Sequence, residues 1–240
     1  MRCLIGTSGY NYPEWRGTFY PEKFSAAKMF GFYAERFRTV EINYTFYRMP
    51  TPKLIGGWVE QAPAGFLYTL KAPKRITHEA RLKDCEVSTQ RFTDAARGLG
   101  GALATLLFQL PPNLKCDLGR FEAFLAMLPK DLKAAFEFRH DSWLTDDVYQ
   151  RLHDAGKALC IADFGDKTTP LQTPARYGYF RLRDEGYQPD DLKRWADVVA
   201  ERSKDWDEVF VYFKHEDEGK GPEFAAAFEG YVKARGLTTA

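Results

Sequence analysis

Eight short apolar runs recur along the 240-residue chain, and they set the strongest limit on how it can fold. They are residues 2–6, 39–43, 66–71, 103–109, 134–139, 158–163, 177–183 and 208–214. Segments with helical periodicity lie between most of them, at about 25–37, 52–61, 88–99, 117–128, 146–155, 190–203 and 222–235. Strands that alternate with helices predict parallel βαβ units.

Eight such units in a chain of this length predict a single-domain (β/α)8 barrel over residues 1–240. The segment after the sixth run, residues 165–176, contains two prolines and no apolar period. One crossover is therefore expected to be an irregular loop instead of a helix. A doubly wound open sheet is the alternative that the same pattern allows.

The bulk composition predicts an ordinary globular protein of the cytoplasm. Hydrophobic residues make up 45% of the chain and charged residues 28%, and the formal net charge is +1, so no global field directs the chain to nucleic acid or to a membrane. No apolar run approaches the ~20 residues of a membrane span, and glycine interrupts the N-terminal segment too early for a signal peptide. The four cysteines include no C-x-x-C pair, and Cys3 and Cys160 lie in apolar runs where buried, reduced thiols are expected.

Polar side chains collect at the C-terminal ends of the apolar runs. Glu41 and Asn43 share one face of the second run, because successive strand residues point to opposite sides. The other polar residues at or near these ends are Lys71, Gln109, Glu137, Arg139, Asp163, Arg181, Arg183 and Lys214. In a (β/α)8 barrel the loops after these ends build the active site, so the pattern predicts a site at the C-terminal mouth.

The predicted mouth carries more positive than negative charge. Five of these residues are lysine or arginine and three are carboxylates, which leaves two positive charges in excess. Uncompensated charge is costly to remove from water, so a small ligand with a phosphate or carboxylate group is expected. Arginine would bind such a group bidentately. For any single residue, the alternative is a buried ion pair that takes no part in chemistry.

Six segments of the chain resemble the YecE-like family, the domain of unknown function 72. They are residues 5–21, 40–50, 70–78, 106–112, 137–143 and 179–184, and they occur in the family's order over nearly the whole chain. The resemblance implies a TIM-barrel fold and an intracellular bacterial or archaeal protein, but no established reaction.

The ends of two strands depart from the family pattern. The seventh strand usually ends in Arg-Leu-His-Gly, where this chain has arginine at 183 and aspartate at 184. The eighth often reads Tyr-Phe-Asn-Asn, where this chain has Lys214 and His215. These substitutions make the mouth more basic, which favours an anionic ligand and implies altered specificity or lost activity if the family's residues are catalytic.

Three functions remain open at this point. The first is a metal-independent enzyme without a cofactor that acts on a small anionic substrate, with Glu137, Glu41 and Asp163 as candidate catalytic groups. The candidate substrate-binding residues are Ser8, Asn43, Tyr47, Lys71, Gln109, Arg139, Trp143, Arg181, Arg183 and Lys214. The second function is a nucleic-acid binder or nuclease that uses the basic mouth, and salt dependence would separate the two. The third is a ligand-binding module without turnover.

Weaker signals leave further alternatives open. The segment at residues 6–10, GTSGY, could cradle an oxyanion with backbone N–H groups or simply form a tight turn. His78 and His140 follow strand ends and are conceivable acid–base groups. Carboxylates near His140 could hold a metal in principle, but the nearby cations argue against it, and no metal is expected. Oligomeric state is not readable from these residues.

Overall fold

The eight apolar runs form a closed barrel of parallel strands in the computed structural model, which describes residues 1–216 and 218–240. The strands are β1 (Arg2–Ser8), β2 (Thr39–Ile42), β3 (Leu67–Lys71), β4 (Leu103–Gln109), β5 (Ala134–Glu137), β6 (Ala158–Asp163), β7 (Tyr177–Leu182) and β8 (Glu208–Phe213). Each strand pairs in parallel with its neighbours in chain order, and β8 pairs with β1. The predicted (β/α)8 barrel is confirmed, since the pairing of β8 with β1 closes the sheet and an open sheet would have two free edges.

Helices surround the barrel between the strands. They are α1 (Ala26–Ala34), α2 (Tyr44–Tyr47), α3 (Pro52–Gln61), α4 (Glu86–Arg97), α5 (Leu118–Met127), α6 (Asp146–Asp154), α7 (Pro189–Glu201) and α8 (Lys220–Ala234). All but α2, a single turn after β2, were predicted from the periodicity. Side-chain caps begin several of them: the hydroxyl of Thr51 accepts from the Leu54 N–H, and Asp117 accepts from the Arg120 N–H. None of the helices in the described part of the chain is long and apolar enough to cross a membrane.

The crossover from β6 to β7 is an irregular loop, as predicted. β5 pairs with β6 only at Ala158 and Leu159, so the upper edge of β6 would lack a partner. Thr169 of the loop occupies that edge: its N–H donates to the Ala162 carbonyl at 2.9 Å, and its hydroxyl accepts from the Ala162 N–H at 3.2 Å. The loop therefore closes the barrel wall where β5 and β6 separate near the mouth.

A short ninth strand closes the barrel at the opposite end. β2 pairs with β1 only at Thr7 and Ser8, which leaves the N-terminal half of that edge free. β9 (Thr238–Thr239) pairs in parallel with Arg2 and Cys3 on the same edge. This strand of two residues carries no periodic signal, and the sequence pattern did not predict it.

Side chains fill the barrel interior below the predicted site. Leu4, Leu107 and Phe210 belong to one apolar cluster inside the barrel, and a second, larger cluster lies between the strands and the helices. The Tyr212 hydroxyl lies 2.8 Å from the hydroxyls of both Thr39 and Thr69, so the interior becomes polar toward the mouth. The cysteines at 3, 85 and 160 are buried, and all four cysteines are free thiols.

Gly6 allows β1 to approach β2 closely, and we expect Gly6→Ala to lower the free energy of unfolding by about 3 kcal/mol. A Cβ atom there would overlap the Thr39 carbonyl oxygen and lie 2.9 Å from the Tyr33 hydroxyl. Gly230→Ala in α8 is the matched control, because nothing lies within 4 Å of its added Cβ. It should be neutral or stabilise the chain by about 0.5–1 kcal/mol, since alanine is the better helix former. Urea denaturation of both variants decides the point, and equal stabilities would contradict the close-approach argument.

Candidate functional site

The centre of the candidate site is the guanidinium of Arg181, which projects from β7 into the barrel and is fully buried. Its Nε and Nη2 donate to both carboxylate oxygens of Glu41 on β2, at distances of 2.9–3.2 Å. Its Nη1 donates to Glu137 on β5. One arginine therefore connects three strands across the interior, and both of its carboxylate partners are also fully buried.

Further donors complete the hydrogen bonding of the two carboxylates. The hydroxyls of Ser8 and Tyr179 donate to Glu41. Gln109 Nε2 and Arg139 Nε donate to the same oxygen of Glu137, at 2.8 and 3.0 Å. Because each carboxylate oxygen already accepts at least one hydrogen bond, the pair needs no solvent to remain charged.

Electrostatics keep both carboxylates ionised. Burial alone would raise the pKa of Glu41, but the Arg181 charge and the hydrogen bonds from Ser8 and Tyr179 outweigh it and lower the pKa. Burial would also raise the pKa of Glu137, but the charges of Arg181 and Arg139 outweigh burial. The pKa of Glu137 is therefore lowered as well. Neither group is therefore a reservoir for a proton at neutral pH.

The next layer of side chains, one pleat nearer the mouth, has unused hydrogen-bonding capacity. Lys71 is the last residue of β3, and Asn43 directly follows β2. Asn43 donates to Ser8 at 2.8 Å, but its buried Oδ1 accepts no hydrogen bond from a described residue. The buried Nε and Nη1 of Arg183 likewise have no acceptor among the described residues.

Lys71 has an unusual environment for a lysine. It is 8% exposed, and its Nζ lies 4.2 Å above the centre of the Phe46 ring. Within residues 1–216 and 218–240 it forms no ion pair. Burial and then the Arg181 charge lower the pKa of Lys71 to about 7, and the carboxylates of Glu41 and Glu137 offset this only in part. Near neutral pH its side chain is therefore populated both as the ammonium and as the neutral amine.

His78 lies beside the same aromatic ring. Its imidazole packs edge-on against Phe46, with 5.0 Å between ring centres, and its Nδ1 lies 2.9 Å from the Thr77 hydroxyl. Burial, followed by the charges of Lys71 and Arg139, lowers the pKa of His78. This direction favours the neutral imidazole, and Nε2 has no hydrogen-bond partner among the described residues.

Two of the predicted residues lie at the rim of the mouth. Lys214 pairs with Glu216, and Tyr47 is 71% exposed. A cavity of about 360 Å³ is lined by Arg183, Lys214 and His215, among others. A second cavity, of about 270 Å³, is lined by Arg139 and by residues of the β6–β7 loop. Both cavities open beside the central cluster.

The structure does not bring Asp163 and Trp143 into the cluster. Asp163 Oδ2 accepts from the Tyr187 hydroxyl and from Trp195 Nε1 of α7, so its side chain faces the helical layer. Trp143 is buried, donates to the Leu114 carbonyl at 2.7 Å and stacks on Phe138. Both side chains fix loops outside the barrel interior.

Sequence reasoning missed two neighbours of the cluster, Tyr179 and Phe164. Tyr179 precedes Arg181 by two residues on the same strand face, so strand alternation could have identified it. Phe46 lies in the single turn of α2, and Phe164 follows β6. The Arg139 and Arg183 guanidinium carbons lie 5.6 and 4.7 Å from the Phe164 ring centre. No sequence period indicates which loop aromatic reaches the mouth.

A cavity larger than either of the two beside the central cluster lies elsewhere. It measures about 880 Å³ and lies outside the barrel against α8, where its lining carries four carboxylates and three cations. That mixed lining gives no preference for an anion. Within residues 1–216 and 218–240, no group of three or more His, Cys, Asp and Glu side chains could hold a metal ion.

The GTSGY segment has the geometry of a turn. Gly9 has φ of +91°, a conformation that favours glycine. Its N–H donates to the Glu41 carbonyl at 2.8 Å, and the Thr7 N–H donates to the Tyr33 hydroxyl at 2.9 Å. These two amides are therefore already paired within the protein.

We expect Arg181→Met to lower the free energy of unfolding by about 3–5 kcal/mol at pH 7, because it leaves two buried carboxylates without their counter-charge. The loss should shrink as pH falls, since the carboxylates of the variant regain a high pKa and become neutral. Arg97→Met is the control, because Arg97 makes an exposed bidentate contact with Asp131 at 2.8 Å. This substitution should lower the free energy of unfolding by under ~1 kcal/mol. Urea titrations at several pH values test this, and equal losses in the two variants would contradict it.

Lys71 should make the protein more stable as pH rises from about 7 toward 10, relative to Lys71→Met. Its folded-state pKa of about 7 lies below the ordinary lysine value of 10.5, so the unfolded chain binds more protons over this interval. The difference in unfolding free energy between the two proteins should change by at most about 1.4 kcal/mol per pH unit. Denaturation in phosphate-free buffers measures it, and parallel pH profiles would show that Lys71 titrates normally.

Comparisons with known proteins agree with this fold. A model of the family described as "Protein of unknown function DUF72" matches residues 4–239. The UPF0759 protein YecE of Escherichia coli is 31% identical over 137 residues, which are 55% of this chain and 50% of that protein. The matched part thus spans about half the length of this curated relative. The UPF0759 protein YunF of Bacillus subtilis is 27% identical over 218 residues, covering 81% of this chain and 76% of that protein.

Solved structures show the same architecture. A DUF72 family protein from Thermotoga maritima superposes with a TM-score of 0.87 at 25% identity, covering 97% of this chain and all of that one. One from Enterococcus faecalis gives a TM-score of 0.80 at 17% identity, over 96% and 95% of the two chains, which shows the fold alone. Because the family model matches nearly the whole sequence, this chain belongs to the DUF72 family, whose members are described as proteins of unknown function.

Proposed function

We propose that the chain is an enzyme that acts, without a metal or organic cofactor, on a small molecule carrying a carboxylate or phosphate group, bound at the C-terminal mouth of the barrel. The observation that carries this proposal is the pair of cations, Lys71 and Arg183, that have no carboxylate partner among the described residues. Both are largely removed from water. An anion that binds between them would offset the cost of that desolvation.

The charge balance of the interior supports this proposal. Arg181 and Arg139 together neutralise Glu41 and Glu137, with which they form ion pairs. At the rim, Glu216 neutralises Lys214. The positive charge that remains belongs to Lys71 and Arg183.

Arginine supplies the geometry that an anion needs. Arg139 uses only Nε for Glu137 and keeps both Nη groups without an acceptor among the described residues. Nε and Nη1 of Arg183 have no acceptor among the described residues, and both guanidinium groups lie over Phe164. We assign Arg139 and Arg183 to the anion, because paired N–H groups of a guanidinium match two oxygens of a carboxylate or phosphate.

Reaction with the bound substrate is assigned to the amine of Lys71 in this proposal. Glu41 and Glu137 have lowered pKa values and accept hydrogen bonds from several donors, so we assign them to positioning Arg181, Arg139 and Gln109. Asp163, which faces α7, positions the β6–β7 loop. The carboxylates that a metal would need as ligands already bind Arg181, and this supports chemistry without a metal.

A thermal-shift titration with inorganic phosphate, simple carboxylates and sugar phosphates tests the anion site. A ligand at about 100 times its dissociation constant adds ~2.7 kcal/mol, and at this size that should raise the midpoint by roughly 5–10 °C. Arg183→Met should abolish the shift, whereas Arg194→Met on the exposed face of α7 should retain it.

Three other results would redirect the proposal. Shifts that are equal in both variants would place the anion elsewhere. A shift with short DNA alone, falling steeply as salt rises, would favour a nucleic-acid binder. Binding of an anion without any change in its proton NMR spectrum over days would indicate a binding module without turnover.

A further inference from the structure

We propose that the Lys71 amine forms an imine with its substrate, so that the substrate is an aldehyde or ketone carrying a carboxylate or phosphate. This inference rests on the proposed anion site at the same mouth. It names the reacting group of the substrate as a carbonyl and the reacting group of the protein as Nζ of Lys71.

The first argument compares Lys71 with the other buried lysine of the barrel. Lys157, 2% exposed, donates to the carbonyl oxygens of Pro129 and Leu132 at 3.0 and 2.6 Å. Those bonds fix its ammonium, as expected for a structural lysine. Lys71 is buried to a similar degree at the opposite end of the barrel. Among the described residues its Nζ has no hydrogen-bond acceptor and contacts the face of the Phe46 ring. Its amine is therefore held in place without being committed to an acceptor.

The second argument is the set of neighbours. A lysine becomes nucleophilic when an apolar wall and nearby cations favour its neutral form. Phe46 supplies the apolar wall. After burial, the charge of Arg181 contributes most to lowering the pKa of Lys71. Arg181 is itself fixed by two carboxylates, so this influence does not depend on a mobile side chain.

The third argument is the placement of groups that the reaction needs. The neutral amine attacks the carbonyl carbon, a C–N bond forms, and the oxygen takes a proton to give a carbinolamine. Loss of that hydroxyl as water, with transfer of the remaining N–H proton, gives the imine, so no oxidant or reductant is required. Asn43, which directly follows β2, has an Oδ1 without a partner among the described residues, and this oxygen can accept the carbinolamine O–H.

His78 is suited to move the proton. Its neutral ring packs against Phe46, the same side chain that supports Lys71, and its Nδ1 is occupied by Thr77. Arg139 and Arg183 remain free to hold the anionic group of the substrate. Each of the three tasks, attack, proton transfer and anion binding, therefore falls to a different side chain.

Reductive trapping tests the imine directly. Glyoxylate, a small anionic aldehyde, is added at pH 7 with cyanoborohydride, and the modified lysines are identified by peptide mass spectrometry. At pH 7 an amine with a pKa near 7 has about 1,000 times the neutral fraction of an ordinary lysine. We therefore expect Lys71 to be trapped at least about tenfold faster than Lys74, whose side chain is 51% exposed and serves as the internal control. Inorganic phosphate should slow the trapping at Lys71 alone.

Two variants separate this inference from the proposed function. Lys71→Arg keeps the charge but cannot form an imine, so it should lose trapping while retaining a thermal shift with phosphate. Arg183→Met should slow trapping at Lys71 and leave Lys74 unchanged. Trapping of Lys71 no faster than Lys74, while phosphate still stabilises the wild type, would overturn the imine and leave the anion site intact. Loss of both responses would overturn the proposed function as well.

Discussion

The contact of Arg181 with Glu41 and Glu137 is the interaction on which the rest of the mouth depends. Three charges that have left water are stable together only because each finds a partner at hydrogen-bond distance. The strands set those distances, since β2, β5 and β7 face one another across the closed barrel. The barrel positions the ion network, and the network in turn determines which charges above it remain unpaired.

The unpaired charges are a cost that a purely structural network would avoid. A barrel selected only for stability could place apolar side chains where Lys71 and Arg183 stand, because well-packed apolar groups often match or exceed buried ions in stability. Arg181 also lies close enough to repel the Lys71 ammonium, which favours the neutral amine. Local conflicts of this kind are expected where binding or catalysis, and not folding, has selected the residues.

Strand periodicity explains how much of the fold and site could be predicted. The alternation of faces placed Glu41, Glu137 and Arg181 on the inner side, because every second residue of a strand points the same way. The same rule applied to β6 sets Asp163 opposite Cys160 and Ala162, which lie inside the barrel. A residue at a strand end is therefore predicted to enter the site only if strand alternation also places it on the inner face of the barrel. We call this alternation the parity of the residue.

Parity has no equivalent in loops. Trp143 follows β5 by a few residues, yet its indole packs outside the barrel, whereas Phe164 follows β6 and reaches the mouth. The difference depends on how β5 and β6 separate and how Thr169 fills the gap, which is a tertiary property. The two-residue β9 is likewise specified by the free edge of β1 and not by its own composition.

The depth of the cations distinguishes among the functions that the sequence left open. A protein that binds the nucleic-acid backbone needs lysine and arginine groups spread over an exposed surface, where each can replace a counterion. Lys71 and the unpaired nitrogen atoms of Arg183 are instead recessed inside the barrel rim, within reach of a small molecule but enclosed by Phe46, Phe164 and the ends of the strands. Electrostatic attraction is strongest in such a site because little water screens it. The same enclosure that makes the cations costly to bury therefore supports the proposed site for one small anion over an exposed nucleic-acid interface.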